Sequence, residues 1–270
     1  MKKILVIAFI FILIGGVFCG AAYAIGERYM DTKVTNVSES FMLSGINNIN
    51  VADNVANVKI LKNNENANNI LVKAENVNSE WFECAVTGGD TLKISYNPSK
   101  WKFLPSFIFN WNSKSPVISI YIPDGKVFSE FKYDGGVGNI EAEQINANSL
   151  ILNSGVGDCD IKNMAVSSLR IEGGVGSTRI NGTINGDTKI SGGVGDVKLS
   201  GQANGNIKLS TGVGSANLSL AGDLSDYNIK VDKGVGSVKI NGNKWDSVQH
   251  GGKYNIDVDA GVGSINVDIK

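Results

Sequence analysis

The tripeptide Gly-Val-Gly occurs seven times in the second half of this 270-residue chain, with its valine at Val137, Val156, Val175, Val194, Val213, Val235 and Val262. The spacings are 19, 19, 19, 19, 22 and 27 residues. Four equal intervals in succession mark a repeat architecture, in which each unit buries its apolar side chains against its neighbours. The two longer intervals read as loop insertions into the same unit. Glycine follows the repeat: 25 of the 33 glycines lie between Gly135 and Gly263, whereas all four prolines fall between Pro98 and Pro123. Without a three-residue period this is not collagen, and 42% hydrophobic with 19% charged residues excludes a generic disordered chain.

Alignment on the valine exposes the physics of the unit. Four residues before it stand Tyr133, Leu152, Ile171, Ile190, Leu209, Val231 and Val258; five after it stand Ala142, Ile161, Ile180, Leu199, Leu218, Ile240 and Val267. Apolar columns also occur six before, from Phe131 to Ile256, and three after, from Ile140 to Ile265, where Cys159 takes an inward place. Polar columns separate them, for example Glu141, Asp160, Arg179, Lys198, Asn217, Lys239 and Asn266. Alternation with period two on both sides of Gly-Val-Gly predicts two short half-buried strands per unit.

Two strands and two bends in 19 residues predict an all-β fold, a single-stranded parallel β-helix or solenoid in which each turn stacks on the one before. The apolar phase shifts from even to odd offsets across Gly-Val-Gly, so the glycines are assigned to a corner that needs positive φ or close backbone approach. Asn-Gly pairs at Asn181, Asn185, Asn204 and Asn241 are read as the opposite bends. The 31 asparagines and the excess of lysine (22) over arginine (3) are read as the imprint of an AT-rich, low-GC bacterial genome, not as chemistry.

Glycine loops can also bind ligands. A phosphate-cradling loop opens a helix, and here a strand follows. The calcium-binding glycine-rich repeat needs aspartate two residues after its last glycine, where this chain has Ile140, Cys159, Thr178, Val197, Ala216, Val238 and Ile265. No cofactor and no metal site is therefore expected. Glu141 and Asp160 share a column in adjacent units, as do Asp232 and Asp259, and paired carboxylates could share a proton or a cation. Solvated surface charge is the competing reading, since Lys230 shares a column with Asp257 and Lys132 neighbours Asp134. The lone histidine, His250, has no nucleophile to pair with. The net charge of −1 argues against nucleic acid.

At the other end of the chain, Lys2 and Lys3 precede 22 uncharged residues from Ile4 to Ile25, long enough to cross a hydrocarbon layer. Residues 1–25 are read as a signal-anchor or signal peptide, with the rest extracytoplasmic. Retention makes this a single-pass protein of a bacterial cell membrane; cleavage after Ala24, at the Ala22-Tyr23-Ala24 pattern, makes it a secreted one. Gly16, Gly20 and Ala24 form a small-residue ladder suited to helix pairing, so a homo-oligomer is open. Phe18 disfavours Cys19 as a lipidated cysteine, and Cys84 and Cys159 form no disulfide framework.

Residues 26–44 are read as a spacer, 45–130 as a β region continuous with the solenoid, and 131–270 as the repeat solenoid. Gly88-Gly89-Asp90 predicts a hairpin turn. Trp101, Phe103, Phe107, Phe109 and Trp111 crowd into eleven residues with Lys100, Lys102 and Pro105. They read either as a cap over the open solenoid end or as a contact with lipid or a partner.

The membrane segment, the Gly45-Ile46-Asn47 start, Ile120-Tyr121-Ile122-Pro123 and the repeated Gly-Val-Gly-[Asp/Ser/Asn] units together resemble bacterial adhesin-type β-strand-repeat families, the head-GIN type among them. The resemblance covers most of residues 45–270. It implies a surface-exposed β fold, links some members to envelope-stress systems, and brings no catalytic residues. The expected function is a non-enzymatic envelope protein, an adhesin or binding scaffold whose partner is an envelope polymer, lipid or protein. The alternatives are a carbohydrate-active β-helix enzyme, with Glu141 and Asp160 as its site, and an envelope-stress sensor acting through a partner.

Overall fold

A computed structural model describes residues 34–65, 68–98, 114–245 and 251–270. The segment Ile4 to Ile25 with Cys19, the aromatic cluster Trp101, Phe103, Phe107, Phe109 and Trp111, and His250 lie outside the described residues. The described chain is all-β and solenoid-like, with two short 3-10 turns and no α-helix among the described residues.

Each Gly-Val-Gly joins two stretches on different sides of the stack, and the start of Met164–Val175 also pairs with the end of Thr178–Ile184, Ala165 with Thr183 and Val166 with Ile184. On the first side the strands Phe128–Val137, Ile145–Val156, Met164–Val175, Thr188–Val194 and Ile207–Val213 pair in parallel, and valine always meets valine. On the second side Ile140–Ala142, Cys159–Ile161, Thr178–Ile184, Val197–Ala203 and Ala216–Leu220 follow the same order. The inward columns close between the sides: Phe131, Leu150, Leu169, Ile207, Leu152, Ile171, Leu209, Ile161, Ile180 and Leu199 are all buried. Burial of such side chains contributes roughly 1.5–3 kcal/mol each, so a turn is held by its neighbours and not by itself. Phe128 and Phe131 meet edge to face at 6.4 Å beside the buried Tyr133.

The stacking departs from chain order at the last two turns. Strand Tyr254–Val262 pairs with Ile207–Val213 on one side and with Tyr227–Val235 on the other, and Ile265–Ile269 likewise lies between Ala216–Leu220 and Val238–Ile240. The turn that comes later in sequence is thus inserted beneath the earlier one, contrary to the expectation that each turn stacks on its predecessor. Charge supplies a reason: the insertion sets Asp257 between Lys208 and Lys230, which sequential stacking would bring together.

At the opposite end, Asn48–Val55 and Asn57–Asn63 form one further turn in the same register, with Val55 opposite Val137 and Val58 opposite Ile140. Strands Thr91–Tyr96 and Val117–Pro123 continue the two sides in parallel, and Phe82–Thr87 and Asn69–Asn78 then add antiparallel. Gly88 and Gly89, both at positive φ, close the hairpin between Phe82–Thr87 and Thr91–Tyr96. Part of the stretch read as a spacer is a strand: Val34–Met42 pairs antiparallel with Asn69–Asn78. None of its residues is fully buried, which is why its sequence carries no strong alternation.

The Asn-Gly pairs behave differently from one another. Asn241-Gly242, both at positive φ, links Val238–Ile240 to Asn243–Lys244 as a two-residue hairpin. Asn185 and Asn204 follow strand ends, whereas Asn181-Gly182 sits inside the strand Thr178–Ile184.

Candidate functional site

The corner dictates what a Gly-Val-Gly unit can present. A Cβ on Gly174 would lie 2.1 Å from the carbonyl oxygen of Gly155 in the turn below; one on Gly176, where φ is +140°, would lie 2.0 Å from that of Gly157. Neither backbone can retreat, because both are held in the ladder. Both glycines are therefore corner residues that leave no side chain, and the valine between them points outward. In the extra turn the same place is taken by Asn54-Val55-Ala56, just past the last ladder pair, Asp53 with Tyr96.

Beside the corner, side chains climb from turn to turn. The Asp158 N–H donates to Asn139 Oδ1 at 2.9 Å, the Ser177 N–H to Asp158 Oδ1 at 2.8 Å, and the Ser215 N–H to Asp196 Oδ1 at 2.8 Å. At the far bend, Asn206 donates to Asp187, Asn255 to Asn206, and Asn228 to Asn255. All but the last of these donors are backbone N–H groups, satisfied where the chain leaves the sheets. The asparagines read as a compositional bias thus include residues with a defined structural task.

The acidic pairs are adjacent as the columns imply: Asp160 is the register partner of Glu141, and Asp259 of Asp232. Their setting is mixed in sign. The column around Glu141 and Asp160 runs from Lys59 on one side to Arg179 on the other. Lys132 Nζ lies 2.7 Å from Asp134, and Arg170 pairs with Glu172, in the columns five and three residues before the valines. Burial raises Asp134, but Lys132 and Asn153 beside it hold its carboxyl below the usual range. Among the described residues no cluster of three or more histidines, cysteines or carboxylates is arranged for a metal ion. The hollow between Lys62, Asp124, Lys126, Phe128 and Gln144 has about 10 Å³ of free volume, room for one water molecule.

One ionisable group outside any sequence motif is buried. Asp53 is 4% exposed and lies opposite Gly135, over which the Tyr133 phenol folds. Neither carboxylate oxygen has a partner with hydrogen-bond geometry, so the Tyr133 hydroxyl and the Ala56 N–H favour the charge without closing a bond. Burial pushes Asp53 up to about 6, and burial beside Asp53 raises the Tyr133 phenol as well. The signal was there in principle: Asp53 falls two residues before Val55, the place that Gly135 holds before Val137. Without a glycine around Val55, that register was invisible. Cys159 is buried and Cys84 half-buried, both unpaired, and burial pushes each thiol up to about 12, away from reactivity.

No curated protein matches the chain. Solved structures similar to it include a "putative cell adhesion protein" from Clostridium sporogenes, at 19% identity over 88% of this chain and 100% of that one, with a TM-score of 0.44. A "putative adhesin" from Bacteroides fragilis is 18% identical over 87% of this chain and 98% of that one, with a TM-score of 0.46. A "putative lipid binding protein" from Parabacteroides distasonis is 16% identical over 88% and 98%, with a TM-score of 0.40. The profile of the Toastrack DUF4097 family matches residues 46–269.

Proposed function

The chain belongs to the Toastrack DUF4097 family, and from that footing we propose that it is a non-enzymatic binding scaffold of the bacterial cell envelope, tethered through Ile4 to Ile25. What supports the reading is the register of the ladders: one turn after another places equivalent residues in line, valine on valine and Lys189 on Lys208. A surface that repeats once per strand spacing, ~4.8 Å, suits a ligand engaged at many weak points in series. The ligand class is an envelope polymer, lipid or protein.

A pull-down with the full chain from solubilised envelopes tests this. Recovery of polymer or lipid supports the scaffold, recovery of one stoichiometric protein favours the stress-sensor alternative, and recovery of nothing above a heat-denatured control sinks both. The carbohydrate-active alternative has its own observation, the adjacency of Glu141 and Asp160. If glycan cleavage is seen and is abolished by Glu141→Gln with Asp160→Asn, the enzyme reading replaces ours. For the aromatic segment, liposome flotation is expected to weaken when Trp101, Phe107 and Trp111 are replaced by serine; unchanged flotation removes lipid contact from it.

A further inference from the structure

The valine of each repeat is absent from the core. Six of the seven are 44–51% exposed and Val235, on the terminal turn, is 72% exposed. They stand in one line in the order Val137, Val156, Val175, Val194, Val213, Val262, Val235. Stacking on the turns above and below removes the difference between the terminal valine and the rest; the remaining half of each side chain faces solvent. Together they form a continuous apolar ridge of roughly 500 Å², the size of the largest patches on soluble proteins, which are often functional.

The composition of this ridge is not explained by strand propensity. The inward columns tolerate exchange, with Phe131, Leu150, Leu169, Thr188 and Ile207 in one of them, but the outward column is valine in all seven repeats. Threonine, isoleucine or tyrosine would serve an exposed strand position as well. The flanks are equally selective. From two residues before each valine to two after it, charge occurs only at Asp158, Asp196 and Lys233, in a chain with 19% charged residues. The glycines on either side carry no side chain, because a Cβ there would strike a carbonyl of the adjacent turn, so a bare backbone strip runs along each side of the ridge.

We propose that this ridge is the interface with a second copy of the chain, the valine ridge of one copy lying on the bare glycine strip of the other. A second copy is the occupant whose valine spacing matches the repeat of the strip by construction, since both follow the same strand ladder. Two such ridges bury about 1,000 Å² in total, at the lower limit for a specific interface. The near absence of charge on the flanks lets like surfaces approach without stacking like charges. The inference stands apart from the ligand reading and holds whichever envelope component is bound.

The test compares the full chain with a variant carrying threonine at Val156, Val175, Val194 and Val213. Threonine keeps the β-branch and the volume, and at a solvent-facing site its hydroxyl stays hydrated. Sedimentation over 1–200 µM is expected to show dimer formation for the parent chain and at least a tenfold weaker association for the variant, with melting temperatures within a few degrees. A parent chain that stays monomeric throughout, or a variant that associates equally well, overturns the proposal. Should the variant fail to fold, Val194→Cys and Lys189→Cys are oxidised separately: an intermolecular disulfide at Val194 but not at Lys189 supports the ridge, and its absence at Val194 refutes it.

Discussion

At the residue scale the fold turns on positions where a side chain is forbidden or a charge is confined. Gly176→Ala adds a Cβ at φ +140° and 2.0 Å from a ladder carbonyl. It is expected to cost about 3 kcal/mol or more, read as a shift of the urea midpoint. Gly45→Ala, with nothing within 4 Å, is the neutral comparison. Asp53 makes the opposite kind of prediction. Its pKa is raised from 3.8 to about 6 in the fold, so the native state binds the extra proton. Its favourable contribution is fully present below pH ~4 and is lost as pH rises through about 6, a change on the order of 3 kcal/mol. Glu83, Asp124, Asp134 and Asp223 are shifted the other way, so the wild type alone shows a composite. The difference between wild type and Asp53→Asn isolates the group: relative to the variant, the wild type is expected to lose stability between pH 4 and 7 in urea titrations. A constant difference across that range would contradict the buried, unpartnered carboxylate.

At the element scale the order of the last turns is the finding that sequence reading did not anticipate. Val231 and Val258 both fit the column that Leu209 occupies, and the longer intervals of 22 and 27 residues leave enough chain for either order. Two signals did carry it. Lys208, Asp257 and Lys230 share a column, and Asp257 belongs between the lysines; Ala260, not Lys233, takes the position beside the buried Thr211. The order is checked by paired cysteines at solvent-facing register positions. Ser210→Cys with Asp259→Cys is expected to form a disulfide, being on adjacent strands. Ser210→Cys with Asp232→Cys is two strands apart and is expected to stay reduced; the reverse result would restore sequential stacking.

At the scale of the whole molecule, the repeats were legible because 3.6-residue and two-residue periodicities cannot be confused over seven copies, and because glycine at a stacked corner has no substitute. Cys159 in the core and the valine-on-valine register followed from that alignment. The extra turn at Asn54-Val55-Ala56 was not legible, since its corner carries no glycine to mark the register. The strand Val34–Met42 was hidden by its exposure, and Asp53 by the lack of any partner motif. Function was harder to read than fold because the candidate surface consists of columns, each ordinary as a single residue and distinctive only in series. That series is the central claim, and it can be shortened without disturbing register: deletion of residues 176–194 removes one unit, and of 157–194 two units. Binding of the full chain and both deletions to isolated bacterial envelopes, with circular dichroism to confirm the β fold, is the most direct test. Affinity that falls stepwise with each unit removed is the expected result. Equal affinity for all three folded chains would show that binding does not depend on the ladder.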